Sequence, residues 1–308
     1  MLVYLKAAVS IVTPTYNRAH LLERLWKSIK AQSFQEFEWI IVDDGSNDNT
    51  SDVVEKFADP RIKYIYQENM GVNYARNRGE LEIKCEYVIF IDSDDVFFDN
   101  STVNRMLTEI KGTSEEIGVV SFTTICSDSK KSLSNVIEDK IIAGYPDHIE
   151  EKKFTGEFLP IYKTDILNDI SWPLFNGFEM IRHWKIARKT KTIILNKPGR
   201  IYYQDDTNSL SNSRSLVNRA NNLVLASEHL LNEFENDWEQ HCPEQIGKYS
   251  FYHLCYMWLS MKSINLFPVL SKIIKYGNNR ERIKAIIIIT LSILPLKYRQ
   301  EIFILLKS

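Results

Sequence analysis

The chain has 308 residues, of which 44% are hydrophobic and 25% charged, a composition typical of a folded protein that excludes an intrinsically disordered one. This length suits one large α/β domain with an appendage, or two domains. The formal net charge is −2, but residues 262–308 hold nine basic and two acidic side chains, so this tail carries +7 and the remainder −9. An acidic body is therefore followed by a basic C-terminal region.

The cysteines and the N-terminal residues bear on the compartment in which the protein works. Cys85, Cys126, Cys242 and Cys255 are far apart and form no C-x-x-C pair, which argues against a zinc site or a disulfide framework and fits a reducing compartment. Residues 1–12 lack the features of a secretion signal, and no apolar run reaches the ~18 residues of a spanning helix. We therefore expect a cytoplasmic protein, and we expect no nucleic-acid partner.

Apolar segments that fit strands alternate with segments of helical spacing over the first part of the chain. In chain order, the predicted elements are a strand at 8–12, a helix at 21–29, a strand at 39–42, a helix at 50–57, a strand at 62–66, a helix at 70–83 and a strand at 87–91. Strands this apolar, alternating with helices, indicate an α/β fold with a largely parallel sheet covered on both faces. Ligands of such sheets bind at the carboxyl ends of the strands.

Three polar clusters follow predicted strands: residues 13–18, residues 43–49, and the carboxylates Asp92, Asp94 and Asp95. Clustered carboxylates repel one another unless a cation or hydrogen-bond donors offset their charge. Their hard oxygen atoms suit Mg²⁺ or Mn²⁺ held together with substrate phosphates. A solvated acidic turn is the alternative, as are ordinary turns for the other two clusters. Convergence of all three at one sheet edge favours a binding cleft.

The second half of the chain is less regular and ends in a helical region. Strands are predicted at 117–122, 158–162 and 192–195, a turn entering a helix at 172–184, and helical stretches at 216–234, 249–267 and 286–294. The region 126–155 is polar and predicted to be irregular, with a loop at its Ser/Lys/Asp-rich segment. We therefore expect an α/β domain over 1–210 and a helical region over 211–308.

Taken together, these motifs resemble those of the family 2 glycosyltransferases, the large inverting group with the GT-A nucleotide-sugar-binding fold. The matching segments, in the family's order, are residues 9–18, 41–48, 71–77, 92–95 and 177–179. The resemblance covers about residues 7–210 and is to the type that builds bacterial surface polysaccharides. It implies a Rossmann-like GT-A fold in which about residues 1–100 bind the nucleotide and about 101–210 the acceptor. It also implies a UDP-sugar donor and a divalent metal cofactor, Mn²⁺ or Mg²⁺.

The resemblance places the nucleotide base at the first two polar clusters. Pro14, Tyr16 and Asn17 would surround the base, and the ring of Tyr16 could stack on it; a core position is the alternative for Tyr16. Asp44 would accept a hydrogen bond from the uracil N3–H, because charged acceptors make the stronger hydrogen bonds. Asp43 could merely cap the following helix.

The resemblance places the ribose, the diphosphate and the metal nearer the acidic motif. Arg76 would offset the diphosphate charge, with Asn77 supporting the same loop; a solvated helix face is the alternative for Arg76. Asp92 would have a ribose or structural role, and Asp94 and Asp95 would make the metal and ribose contacts, without a choice between them as direct ligand. The residues assigned to the nucleotide are thus Pro14, Tyr16, Asn17, Asp44, Arg76, Asn77, Asp92, Ser93 and Asp94, and those assigned to the metal are Asp94 and Asp95.

Glu179 is the predicted general base. Inverting transfer needs a carboxylate that removes the proton of the acceptor hydroxyl as its oxygen attacks the anomeric carbon. The acidic pair common in the family is here Phe178-Glu179, so a solvent-facing Glu179, with the base elsewhere, is the alternative. Many relatives carry a basic residue and a histidine where Gln204 and Asp206 stand, and Asp206 could cap a loop or shape the donor site.

The expected acceptor is a glycan or a lipid-linked oligosaccharide. The Gln-x-x-Arg-Trp motif of processive synthases is absent, which favours addition of a single sugar. Trp172 could form a platform for an acceptor sugar or pack in the core. The basic tail, residues 262–308, could lie at the inner face of the cell membrane, or its helix at 286–294 could pack against the body or a partner subunit of a homo-oligomer. The alternative from another class is a non-catalytic nucleotide-sugar-binding scaffold of a polysaccharide assembly complex.

Overall fold

A computed structural model of the chain describes residues 7–175, 178–203, 219–260, 266–291, 298, 299 and 302. The chain divides into two compact units, the first made of Met1–Leu174 and Arg182–Thr207, the second of Phe175–Ile181 and Asn208–Ser308. The segment that contains Glu179 thus groups with the second unit, whereas the sequence assigned it to the α/β domain.

The first unit is built on a nine-stranded sheet. Its strands and those of a small second sheet are β1 (Val9–Thr15), β2 (Phe37–Asp43), β3 (Ile62–Tyr66), β4 (Tyr87–Phe90), β5 (Val96–Phe97), β6 (Ile117–Cys126), β7 (Ser134–Val136), β8 (Lys140–Ala143), β9 (Phe154–Gly156), β10 (Phe158–Lys163) and β11 (Lys191–Tyr202). The helices before the second unit are α1 (Ala19–Lys30), α2 (Thr50–Lys56), α3 (Val72–Glu80), α4 (Thr102–Lys111) and α5 (Tyr145–Glu150), with a 3₁₀ turn at Thr164–Leu167; α6 (Met180–Lys189) follows.

The strand order is β3-β2-β1-β4-β10-β6-β11-β5, with β8 added beside β11. β3, β2, β1, β4, β6 and β11 run in the same direction, whereas β10, β5 and β8 run against them. The predicted α/β fold with a mostly parallel sheet is confirmed.

The central strands form because both of their faces are apolar and buried. Successive side chains of a strand point to opposite faces, and here Ile11 and Ile89 belong to one core while Val12 and Val88 belong to the other. Helix α1 covers the first core with buried side chains at helical spacing. Its Trp26 ring stacks on that of Trp39 with the centroids 5.4 Å apart.

The parallel register brings the polar clusters together. Thr15, the last residue of β1, lies beside Asp43, the last residue of β2, and Val12 lies beside Phe90 at the end of β4. The three polar clusters therefore leave the sheet at one edge, as the alternation of strands and helices predicted.

The prediction that the region 126–155 is irregular is wrong outside its Ser/Lys/Asp-rich segment, which forms a turn after β6. The region contains β7, β8, α5 and the start of β9. β8 pairs antiparallel with β11, and its Ile141 and Ala143 are buried while Lys140 and Ile142 are exposed. A four-residue strand of this kind is stabilised by pairing with a partner about fifty residues away rather than by its own pattern, so local sequence could not reveal it.

The second unit is helical, with α7 (Ala220–His241), α8 (Glu244–Ser260), α9 (Phe267–Tyr276) and α10 (Asn279–Thr290). α8 is buried along most of its length, and the Trp238 ring of α7 stacks on Tyr249 at 5.0 Å between centroids. Asn278 and Glu281 form a capping box at the start of α10, with reciprocal hydrogen bonds of 2.9 Å. No helix in the described ranges is both long enough and apolar enough to span a bilayer.

Candidate functional site

The acidic motif forms a compact carboxylate cluster where β4 ends. Asp92, Asp94 and Asp95 each offer an oxygen atom within 4.8 Å of the others. The chain turns tightly here, because the Asp95 amide donates to the Asp92 carbonyl at 3.1 Å. The three carboxylates therefore lie close together after β4, and metal binding by Asp94 and Asp95 stays a prediction.

Each carboxylate of this cluster is paired with an arginine from a different element. The pairs are Arg76 Nη2 with Asp92 Oδ1 at 2.8 Å, Arg18 Nη1 with Asp94 Oδ2 at 2.9 Å, and Arg200 Nη1 with Asp95 Oδ2 at 2.8 Å. Positive charges at this distance offset the mutual repulsion of the carboxylates. Of these three arginines, only Arg76 is assigned a functional role from the sequence.

Arg200 could not be found by motif spacing, because it lies 105 residues after its partner Asp95. The two meet because β5, which directly follows the acidic motif, pairs with β11 so that Phe97 lies beside Arg200. Arg200 also donates to Thr124 Oγ1 and Glu157 Oε2, each at 3.0 Å. Arg18 was within reach of prediction, since it ends the first matching motif.

Burial changes the pKa values of Asp95 and Asp92 in this cluster. Burial raises the pKa of Asp95 to about 8, with Arg200 opposing the rise. Burial also raises the pKa of Asp92, but the guanidinium groups of Arg76 and Arg200 outweigh it and leave that pKa below its usual value. Asp95 Oδ1 and the neighbouring Ser93 hydroxyl are buried without a hydrogen-bond partner among the described residues.

An orphaned, buried carboxylate oxygen is costly unless a donor or a cation satisfies it. Asp95 Oδ1 lies in a cluster of three hard oxygen donors, which is the ligand type that Mg²⁺ and Mn²⁺ prefer. The residues present therefore fit a divalent cation. Ser93, assigned to the nucleotide, is buried, and its contact with a ligand stays a prediction.

Arg76 is held in the interior rather than on a solvated helix face. It is buried, and its Nη1 donates to Asn73 Oδ1 at 3.0 Å. Its Cζ atom lies 4.7 Å from the centroid of the Trp172 ring. The alternative of a solvated face is wrong. Trp172 is itself buried against Phe90, so the core alternative holds for this tryptophan.

A second buried arginine lies beside Trp172 and was missed from sequence. Arg182 is fully buried, its Cζ is 4.3 Å from the Trp172 ring centroid, and its Nη2 pairs with Glu80 Oε2 at 2.6 Å. Burial raises the pKa of Glu80, and the Arg182 charge opposes that rise. Removing one partner of such a pair would leave an uncompensated buried charge.

Asp44 anchors a loop. Its carboxylate accepts hydrogen bonds from Gln67 Nε2 at 2.7 Å and from the amides of Met70 and Gly71 at 3.0 and 2.7 Å. A carboxylate can accept about four hydrogen bonds, so a uracil contact stays a prediction. Asp43 accepts from the Ser46 amide at 2.8 Å, and therefore caps a turn rather than helix α2.

The first polar cluster presents an aromatic ring to solvent. Tyr16 is 44% exposed, so the core alternative for it is wrong and its ring is accessible for stacking. Asn17 has a left-handed backbone with φ 52°, its amide donates to Ser46 Oγ, and its Oδ1 accepts from the Asn47 amide, both at 2.8 Å. Pro14 lies in β1 beside Val42. The loops after β1 and β2 are thus joined by Asn17.

Glu179 lies directly before α6 and is half-buried. The preceding Phe178 is buried with φ 62°, a conformation that is strained for a bulky side chain, and its ring packs edge-on against Tyr256 at 6.2 Å. Burial lowers the pKa of Arg219, and the nearby Glu179 charge opposes this. Gly177, Gln204 and Asp206 lie outside the described residues.

Solved structures share this fold over nearly the whole chain. TarS residues 1–349 of S. aureus, in complex with UDP-GlcNAc, superposes with a TM-score of 0.59 at 17% identity and covers 90% of this chain and 91% of that one. A mannosyltransferase from Pyrobaculum calidifontis, in complex with GDP-Man and Mn²⁺, gives a TM-score of 0.55 at 17% identity over 98% of this chain and 85% of that one. The predicted GT-A fold is thereby confirmed.

The sequence comparisons give the family. The model of "Glycosyl transferase family 2" matches residues 10–163, and the chain belongs to this family. A GalNAc(5)-diNAcBac-PP-undecaprenol beta-1,3-glucosyltransferase of Campylobacter jejuni is 28% identical over 93% of this chain and 94% of its own length. The putative glycosyltransferase EpsH of Bacillus subtilis is 30% identical over 49% of this chain and 44% of its own length. The predicted family is confirmed, and the protein is an enzyme of the glycosyltransferase class.

Proposed function

We propose that the protein is a metal-dependent, inverting glycosyltransferase that moves one sugar from a UDP-sugar to a hydroxyl of a glycan or lipid-linked oligosaccharide. The observation that carries this proposal is the carboxylate cluster after β4, in which Asp95 Oδ1 is buried without a hydrogen-bond donor in the part of the chain that the structure describes. A UDP donor is supported by the nucleotide in the TarS complex, and a lipid-linked acceptor by the name of the C. jejuni relative.

The donor would bind at the carboxyl edge of the sheet. Tyr16 would stack on the base and Asp44 would accept from its N3–H, while Asp92 would contact the ribose. Asp94 and Asp95 would hold the Mn²⁺ or Mg²⁺ ion. When bound, this ion would stabilise the negative charge on the departing diphosphate.

Glu179 would act on the acceptor. Its carboxylate would take the proton of the acceptor hydroxyl while that oxygen forms a bond to the anomeric carbon and the bond from this carbon to the diphosphate breaks. Because attack and departure occur on opposite sides of the carbon, the anomeric configuration would invert.

Calorimetric titration with UDP and a panel of UDP-sugars, with Mn²⁺ and then with EDTA, tests the donor and the metal together. Metal-dependent binding that favours one UDP-sugar would support the proposal and name the donor. Binding that is equally tight in EDTA would contradict the metal, and preference for a guanosine diphosphate sugar would contradict the uridine donor.

We further propose that the second unit contacts an anionic lipid surface at the inner face of the cell membrane, which suits a lipid-linked acceptor. Large apolar side chains are exposed on α9 and α10: Phe267, Ile274, Ile283, Ile286 and Ile289. Residues 266–291 also carry five basic side chains and one acidic, and the acidic one caps α10. Apolar side chains bordered by lysine and arginine favour an interface with anionic lipids.

Flotation with phosphatidylcholine vesicles, with and without phosphatidylglycerol, tests this contact. Ile283→Ser with Ile286→Ser should reduce flotation with the anionic vesicles, whereas Leu81→Ser with Ile142→Ser, at exposed positions of the first unit, should not. Equal flotation of both double variants would contradict the membrane contact. Loss of a dimer in the first double variant, without any flotation of the wild type, would indicate a homo-oligomer interface instead.

A further inference from the structure

Arg18, in the loop between β1 and α1, forms an ion pair with Asp94 of the carboxylate cluster. Its Nη1 lies 2.9 Å from Asp94 Oδ2, and the Asp94 carbonyl accepts from Arg24 Nη2 at 2.8 Å. Arg18 thus binds the carboxylate of Asp94, which is also one of the three carboxylates that could bind a metal ion.

The three arginines of the cluster differ in the exposure of their side chains. Arg200 is 10% exposed and Arg76 is 11% exposed, whereas Arg18 is 21% exposed. Arg18 is therefore the guanidinium of the three that a ligand in solution reaches most easily.

We propose that Arg18 competes with the divalent cation for Asp94 and turns to the donor diphosphate when cation and nucleotide bind together. This inference rests on the proposed function. A cation that approaches Asp94 alone meets the Arg18 charge at close range, which is unfavourable. A diphosphate offers Arg18 a new anionic partner, because two of its oxygens can accept a pair of parallel hydrogen bonds from the planar guanidinium group. The cation and the nucleotide therefore bind cooperatively, and Arg18 is a source of that coupling.

The test measures Mn²⁺ binding, by the electron paramagnetic resonance signal of free Mn²⁺, with and without UDP. We expect the wild type to bind Mn²⁺ more tightly with UDP than without it. Arg18→Gln should bind Mn²⁺ alone about two- to fivefold more tightly than the wild type, and its gain from UDP should be smaller. Because coupling is reciprocal, Mn²⁺ should also strengthen UDP binding less in this variant.

Arg61→Gln is the matched control. The Arg61–Asp59 pair has side chains 25% and 15% exposed, against 21% and 14% for Arg18–Asp94, but it lies at the start of β3. The Arg61→Gln substitution should leave Mn²⁺ binding unchanged. Arg18→Lys keeps the charge without the fork, so it should bind Mn²⁺ alone like the wild type and still gain less from UDP.

Two results would overturn the inference while leaving the proposed function standing. Arg18→Gln could bind Mn²⁺ alone no more tightly than the wild type, or its gain from UDP could be undiminished. A wild-type protein that takes up no Mn²⁺ in either condition would overturn both the inference and the metal of the proposed function. If Arg18→Gln does not fold, a gain from UDP in Arg18→Lys equal to that of the wild type overturns the inference.

Discussion

Asn77 binds both backbone groups of Trp172. Its Nδ2 donates to the Trp172 carbonyl at 3.0 Å, and its Oδ1 accepts from the Trp172 amide at 2.7 Å. These two hydrogen bonds, called the Asn77 clamp below, join helix α3 to a segment 95 residues later in the chain. Because the Trp172 ring packs beside Arg76, which pairs with Asp92, the Asn77 clamp connects the core of the first unit to the acidic motif. Asn77 thus supports Arg76 through Trp172, and its contact with the nucleotide stays a prediction.

We expect Asn77→Ala to lower the free energy of unfolding by about 2–3 kcal/mol, since it leaves the two backbone groups of Trp172 without their partners. Urea unfolding followed by tryptophan fluorescence measures this. Asn104→Ala, at an exposed position of α4, should change the value by less than about 0.5 kcal/mol. Equal stability of the two variants would show that the Asn77 clamp contributes little.

Asp94→Asn should abolish metal-dependent binding of UDP. The substitution removes the charge of one carboxylate of the cluster, and a neutral amide is a weak ligand for a hard divalent cation. Calorimetry with Mn²⁺ should show at least about a tenfold loss of affinity, or about 1.4 kcal/mol. Asp52→Asn, exposed in α2, is the control and should bind UDP like the wild type. Retained Mn²⁺-dependent binding would remove Asp94 from the metal site.

Glu179→Gln should bind UDP with wild-type affinity and transfer sugar at least about 100-fold more slowly, the contribution expected of a general base. The amide keeps the size of the side chain but cannot take a proton. Initial rates with the identified donor and acceptor measure this. Glu228→Gln, an exposed change in the second unit, should keep full activity. Transfer at more than a tenth of the wild-type rate by Glu179→Gln would place the base elsewhere.

Acidification should destabilise the fold through His148. Burial lowers its pKa to about 4, with Asp147 opposing, and its Nε2 lies 3.1 Å from Thr192 Oγ1. The unfolded chain takes up this proton near pH 6.5. The contribution is therefore complete above about pH 6.5 and is lost as the pH falls towards 4. Stability of His148→Gln should fall less steeply over this range than that of the wild type.

Urea midpoints at pH 7, 6, 5 and 4.5 would measure the effect of His148→Gln. His20→Gln, exposed on α1, is the control and should follow the wild-type curve. If His148→Gln also follows that curve, the imidazole is not kept neutral by the fold.

Local patterns were sufficient for the sheet and for the edge at which the site forms. β1, β2 and β4 are apolar runs that end in polar clusters, and strands buried on both faces keep this pattern whatever surrounds them. The strand at Ile62–Tyr66 was predicted with its observed bounds. The region 126–155 was predicted to be irregular, and this was wrong for β8 because that strand depends on β11, a contact that no local window contains.

The sequence by itself determined the parallel sheet, the acidic motif and the family, because these depend on the order of apolar and polar residues along short segments. Only the tertiary structure decided which arginine side chains pair with the carboxylates. Arg18, Arg76 and Arg200 come from three separate elements, and an ion pair depends on distance in space rather than on spacing along the chain. The same reason applies to Trp172, whose buried position follows from its contacts with Asn77 and Arg182.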